Sequence, residues 1–433
     1  MSKNNAALNK EELLAKQQEE TKRRNKRRQR PIAFILLLTA ALFWFRTYSQ
    51  NTLSAINMLI GFAFGAVMAR SNFTFTANLR NPVMKNSYKF TYLHFKMTVI
   101  TCIGINTIIA LKSALGIFDW AAYAKEPTPV SVWFFMSAVI FGFGVGILGS
   151  AGSGIIKKAA NAKLDFILAM ICFIIGSLFG VILRTGVTGV FGERQYYMPD
   201  LFGWPLAILI QIYLFVTYFY FVWHGAKQFG TYEMRDTVTV LSIAKRKIPL
   251  GQKIRRLAHE IFVSGIEANM GIIYISIISI VYFFFNSQVL GTGMPLATFG
   301  YKVMHMIGVD TTSLLGSSLA SQIEREVYDL PKVMMVAGYA LGAAFVPLLR
   351  GEYKPSGLGD RNNIIRMVVG GFLTGVGVQG IYGANIGEVY GAISMLSLSG
   401  WLIVPFVVGG LFLAKPIHAY LGGETRPFRW GGE

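Results

Sequence analysis

The stretch Gly370–Gly400, GGFLTGVGVQGIYGANIGEVYGAISMLSLSG, limits what this chain can fold into more than any other. It is apolar enough to sit in a bilayer, yet it holds nine glycines and is interrupted by Gly383-Ala384-Asn385-Ile386-Gly387-Glu388. A lipid-facing helix does not place Asn385 and Glu388 beside two glycines at membrane depth. Irregular backbone there is tolerated only where it is buried in protein or lines a cavity. An ionisable group such as Glu388 marks a pathway or a buried partner. A weaker copy lies at Phe141–Gly154, FGFGVGILGSAGSG, and pairs Gly142 with Gly375, Gly144 with Gly377, Ala151 with Ala384 and Gly154 with Gly387. Two such interrupted segments in corresponding halves of a chain point to a transport site in a repeat architecture, commonly an inverted repeat.

The rest of the composition agrees. A hydrophobic fraction of 53%, a charged fraction of 15% and a mean hydropathy of +0.47 describe an all-α polytopic membrane protein. The apolar segments are about 32–48, 51–69, 94–116, 131–150, 164–183, 202–224, 262–285, 332–349, 366–383 and 398–414. They predict about ten transmembrane or half-membrane helices in two related repeats.

The net charge of +19 falls in blocks between these segments, which argues against a nucleic-acid partner. Segments 1–31, 70–96, 150–163, 225–257, 350–366 and 415–433 together hold 33 of the 41 Lys and Arg. The positive-inside rule then puts both termini in the cytoplasm. The expected organisation is a basic arm at 1–31, a first membrane half at 32–224, a basic connector at 225–257, a second half at 258–415 and a tail at 416–433. The arm is too polar and too long to open a cleavable signal, and its charge suits anionic membrane lipid. The loop 286–331 has room for a short helix or a lid. A second echo, Gly61–Ala66 (GFAFGA) against Gly338–Ala343 (GYALGA), supports duplication, although small-residue helix packing alone would also produce it.

No enzymatic constellation is visible. The five histidines, at 94, 224, 259, 305 and 418, have no ligand spacing, so neither a metal nor a cofactor is expected. The run Gly149–Lys158 lacks the Gly-Lys-Ser/Thr ending of a phosphate loop. Cys102 and Cys172 sit within apolar runs and read as packing residues, or else as substitutes for a pathway thiol. Glu267 and Asp165 read as interfacial residues near span ends.

Three ordered stretches carry a more specific likeness. They are Arg70-Ser71-Asn72-Phe73-Thr74-Phe75 with Asn78-Leu79-Arg80, Leu148–Gly154 (LGSAGSG), and Tyr382–Gly387 (YGANIG) with Ser397–Trp401 (SLSGW). Leu349–Tyr353 and Gly291–Leu296 are partial matches of the same kind. Together they resemble the signatures of the YeeE/YedE sulphur-transport family of bacterial inner-membrane proteins, over most of residues 55–415. The resemblance implies a permease for a sulphur-containing anion such as thiosulfate, and a small cytoplasmic sulphur-carrier protein as partner, which the basic connector would face. In the family each of the three motifs centres on a cysteine; here those positions are Thr74, Ala151 and Ala384.

What remains at the motifs is backbone and hydroxyl. Half-helix N-termini present free N–H groups and a positive dipole end. Gly152, Gly383 and Gly387 would let an anion reach that backbone, with Ser150, Asn385 and Thr74 adding polar contacts. Glu388 reads as a proton carrier, as the partner of a basic group, or as an outward-facing residue. The expected pathway is therefore Thr74, Ser150, Ala151, Gly152, Gly383, Ala384, Asn385, Gly387 and Glu388. The rival expectation, of a different class, is a non-transporting scaffold subunit that joins other membrane subunits, having kept the packing glycines and lost the thiols.

Overall fold

The computed structural model describes residues 2–71, 73–120, 123, 128–191, 194–229, 249, 251–252, 266–311, 315, 317–381 and 385–426. Most of the connector 225–257, together with Tyr382, Gly383 and Ala384, thus lies outside the described residues. Among the described residues the α-helices run in order as α1 (Ser2–Gln50), α2 (Thr52–Arg70), α3 (Ala77–Lys85), α4 (Lys89–Ala114), α5 (Val132–Leu148), α6 (Gly152–Ala159) and α7 (Leu164–Phe191). They continue as α8 (Met198–Gln228), α9 (Ala268–Asn286), α10 (Gly293–Met306), α11 (Ser317–Glu324), α12 (Pro331–Arg350), α13 (Arg361–Val378) and α14 (Leu398–Tyr420). A π-helical segment, Asn385–Ala392, stands between the last two. The loop 286–331 does hold short helices, α10 and α11.

Nine helices among the described residues are long and apolar enough to cross a membrane. Helix α13 adds another apolar segment that carries Arg361 and Arg366 at its start and packs between α5 and α7. At 1.5 Å per residue the 19 residues of α2 and the 20 of α12 cover a bilayer core. Helices α1 and α8 flank the bundle with lipid-suited faces, on which Ile35, Leu38, Phe45, Leu209, Tyr213 and Tyr220 are exposed. The basic arm continues directly into the first span as one helix, α1.

Helices in lipid gain nothing from hiding apolar surface from one another, so packing must come from close approach. Glycine supplies it here in three parallel pairs. In α2 and α12, Gly61 and Gly65 lie on the Met335 and Tyr339 carbonyls, while Gly338 and Gly342 lie on those of Met58 and Phe62. In α5 and α14, Gly142 meets the Val407 carbonyl and Gly410 meets that of Val139. In α7 and α13, Gly176 meets the Phe372 carbonyl and Gly375 meets that of Phe173. A Cβ at any of these glycines would overlap the facing backbone.

The pairings also expose the symmetry. Helices α5 and α13 are antiparallel neighbours that exchange partners reciprocally, Gly144 on the Thr374 backbone nitrogen and Gly377 on that of Phe141. Exchanging α2 with α9, α3 with α10, α4 with α12, α5 with α13, α6 with the π segment, and α7 with α14 maps the packing onto itself. The pair α2–α12 becomes α9–α4, α7–α13 becomes α14–α5, and α3–α14 becomes α10–α7. Exchanged helices run in opposite directions, so the repeat is inverted. The Phe141–Gly154 and Gly370–Gly387 echo joins equivalent elements of this repeat. The second echo does not: GFAFGA and GYALGA lie on α2 and α12, which are not equivalent but pack directly together. Shared packing chemistry, and not descent from one ancestral segment, accounts for that likeness.

Gly61→Leu should therefore abolish the folded monodisperse species in size-exclusion chromatography. Gly409→Ala should be neutral or stabilising by up to about 1 kcal/mol in thermal unfolding, since nothing lies within 4 Å of the added carbon.

Candidate functional site

The chain re-enters the bundle at four tips. Two come from the face where α2 and α12 end at Arg70 and Arg350, which we term the basic face. The first of these runs through Phe73–Asn78 into α3, and the second through Gly149–Ser153 into α6. Two more come from the opposite face, Gly291–Gly293 leading into α10, and the π segment.

The second tip is set up by Gly149, which ends α5 in the left-handed region at φ 75°, its N–H donating to the Val145 carbonyl. Few other residues tolerate that conformation. Ala151 then stands as the extended N-cap of α6, with no side chain capping the first turn. Across from it Thr292 precedes α10, again with no side-chain cap. Gly152 faces Gly293 and Thr292 so closely that a Cβ would lie 3.3 Å from the Gly293 Cα and the Thr292 hydroxyl. The Tyr339 hydroxyl donates to the Ser153 carbonyl at 3.0 Å and fixes this junction near the middle of α12. Two helix N-termini, each with uncapped N–H groups and a positive dipole end, thus meet inside the bundle.

The first tip joins the π segment through amides. Asn385 Nδ2 donates to the Phe75 carbonyl and, at 2.9 Å, to Asn78 Oδ1. Asn78 is itself held by the Leu79 N–H at 2.7 Å, while its carbonyl accepts from Thr91 at 2.6 Å. Asn385 Oδ1 and Asn78 Nδ2 are buried without a hydrogen-bond partner among the described residues. The Phe75 ring packs on Phe64, Tyr390 and His94. Both ring nitrogens of His94 are buried there and make no hydrogen bond within the described residues.

Glu388 lies nearer the opposite face, where it accepts a hydrogen bond from the Thr128 hydroxyl. With Thr128, Gly291, Met294, Lys332 and Gly387 it lines a pocket of about 50 Å³. That is room for water molecules. Thr74 and Ala151 do not line it.

Of the residues singled out from sequence, Thr74, Ser150, Ala151, Gly152, Asn385, Gly387 and Glu388 all lie on the tips. Thr74 is half-buried and the rest are buried. Gly383 and Ala384 lie outside the described residues. Cys102 is elsewhere, packed with Met198, Ala207 and Leu396 and touched by Asn106 and Gln211. Cys172 is half-buried on α7. Asp165 stands in the first turn of α7 and Glu267 at the N-cap of α9, both at helix starts. Sequence reasoning passed over Thr128 and Lys332, and weighed His94 only as a metal ligand. They lie far from the motifs along the chain, and only the folded topology brings them close.

Asn385→Leu removes both amide bonds and leaves Asn78 Oδ1 and the Phe75 carbonyl with only local backbone donors. It should lower unfolding stability by about 1–3 kcal/mol in thermal denaturation.

The chain matches no curated protein. A family model described as "Sulphur transport" matches residues 70–413, a range that contains all four tips and the repeat from α3 into α14. The chain belongs to the sulphur-transport family.

Proposed function

We propose that this protein is a permease of the bacterial inner (cytoplasmic) membrane that imports a small sulphur-containing anion of the thiosulfate class. In this reading both termini and the basic face are cytoplasmic, as the segregation of Lys and Arg supports. The observation that carries the proposal is the meeting of the uncapped α6 and α10 N-termini at Gly152 and Gly293. An anion arriving there would be held by backbone N–H groups, as at other helix termini. Ser150, Thr74 and the orphaned Asn78 Nδ2 would complete its hydrogen bonds. No bond is made or broken, so the function is transport and not catalysis.

The thiols of the family motifs would pass a soft sulphur atom between tips; Thr74 and Ala151 retain a hydroxyl and empty space. The proposal is thus recognition by backbone and hydroxyl along Thr74, Ser150, Ala151, Gly152, Gly383, Ala384, Asn385 and Gly387, with Glu388 at the far mouth. A small cytoplasmic sulphur carrier facing the basic connector would receive the cargo. The scaffold reading draws on one observation, the closeness of Gly152 to Gly293, which leaves no open channel between these two tips.

Uptake of labelled thiosulfate into vesicles, with sulfate and selenite as comparators, separates the two readings. Saturable thiosulfate uptake by the chain as it stands is expected. The variant Thr74→Cys/Ala151→Cys/Ala384→Cys should raise the rate. Absence of uptake from both, in correctly inserted protein, would establish the scaffold instead. Orientation is checked separately: tags at either end should be cleaved by added protease only in inside-out vesicles.

A further inference from the structure

Just below the first two tips, on the basic face, lies a cluster of cations that the pathway described above does not use. Arg80 projects from α3 against the turn at Gly149, where a Cβ would lie 3.6 Å from its guanidinium carbon. Arg80 Nη2 is 3.0 Å from His418 Nε2, and His418 Nδ1 is 3.2 Å from the Ile147 carbonyl oxygen. A carbonyl only accepts, so Nδ1 carries the proton and Nε2 accepts from the arginine. His418 is therefore the neutral δ-tautomer, an anchor that aims Arg80 without neutralising it. Arg366, from α13, lies within electrostatic reach of both Arg80 and His418, and its Nη2 is fixed to Asn363 Oδ1 at 3.2 Å.

No ion pair with either arginine is present among the described residues. The Nε atoms of both Arg80 and Arg366 are buried and make no hydrogen bond within the described residues. Four of the described acids of this face bond elsewhere. Glu424 bonds Lys85 at 2.8 Å, Glu352 bonds Arg350 at 3.0 Å, Asp360 caps α13 through the Asn363 N–H, and Asp165 accepts from the Phe166 N–H at 2.9 Å. Burial, with Arg366 adding repulsion, holds the Arg80 guanidinium down to about 10. A buried charge without a partner is costly, and two adjacent ones more so. Simple lipid-surface arginines would reach outward with every N–H solvated, which these buried Nε atoms are not.

We infer that Arg80 and Arg366, with His418 positioning the first, form an oxyanion-binding site at the basic end of the bundle. Its ligand presents at least two oxygens on one tetrahedral centre, matching the forked donors of a guanidinium. That chemistry has two sources, a free anion leaving the tips or the phosphate of a lipid headgroup. The site rests on the transport reading only for the first source.

Equilibrium binding tests the site apart from transport. Purified full-length protein in phosphatidylcholine nanodiscs is titrated with labelled thiosulfate and with labelled sulfate. Nanodiscs of mixed phosphatidylcholine and phosphatidylglycerol are examined in parallel for retained anionic lipid by native mass spectrometry. Arg80→Gln and Arg366→Gln should each weaken the bound ligand by about tenfold or more, the scale of a charge-assisted hydrogen bond. Lys85→Gln, which removes a charge already paired with Glu424, should leave it within about twofold. Loss of free-anion binding supports the site with the anion as ligand. Loss of retained phosphatidylglycerol alone supports it with the headgroup as ligand. Should Arg80→Gln not fold, Arg366→Gln carries the test, since it leaves the His418 anchor in place. Unchanged binding of both ligands by folded variants overturns the site. Wild-type binding without wild-type uptake would keep the site and sink the import reading.

Discussion

The interaction on which everything else depends is glycine against carbonyl between neighbouring helices. A backbone that leaves its helix at membrane depth exposes N–H and C=O groups with no water to take them. The four tips do this, and they survive only because tightly packed scaffold helices surround them. That packing cannot be bought with apolar burial when lipid is as apolar as leucine. Contact between backbones supplies it, at Gly61, Gly142, Gly176 and their partners. The same residue type therefore serves two ends. In the helices it brings backbones together; at Gly149 and Gly152 it frees the chain to turn and lets a ligand approach.

Inversion has an electrostatic consequence. The repeat aims α6 from one face and α10 from the other, so two positive helix ends converge instead of pointing the same way. Two like dipole ends repel, and an anion between them relieves the repulsion. In this structure Gly152 lies against Gly293, so the two helix ends meet directly.

Much of this was legible in the sequence because membrane constraints leave few choices. The apolar segments marked where helices lie, and the interrupted glycine runs marked two of the four tips. The π segment's Asn385 and Glu388 stood out because polar residues rarely lie among glycines at depth. The tip at Gly291–Gly293 showed only as a partial family likeness, since a short Gly-Thr-Gly run has no polar side chain beyond threonine. Its importance appears only when Gly152 is seen against it. The GFAFGA and GYALGA likeness misled for a physical reason: two helices packing face to face need the same small-residue spacing, and so come to look alike without being repeats. The roles of His94, Thr128 and Lys332 did not show because a buried or pocket-lining role is a property of what surrounds a residue.

The scaffold is symmetric; the charges are not. In the register that sets Gly144 opposite Gly377, the α5 residue equivalent to Arg366 is Trp133. In the register of Gly176 and Gly410, the equivalent of His418 is Arg184. The far mouth mixes Glu388 with Lys332, whereas the basic end gathers Arg80 and Arg366. On the import reading, direction would not come from the fold, which serves either face equally, but from these substitutions between the halves. The positive-inside bias accounts for exposed lysines and arginines on one face. It does not account for the buried Nε atoms of Arg80 and Arg366, because a topology signal works as well from the surface. Burial at that depth raises the cost of the charge and the benefit of an anion to offset it. On the import reading, one membrane face thereby becomes the end toward which an anion is drawn.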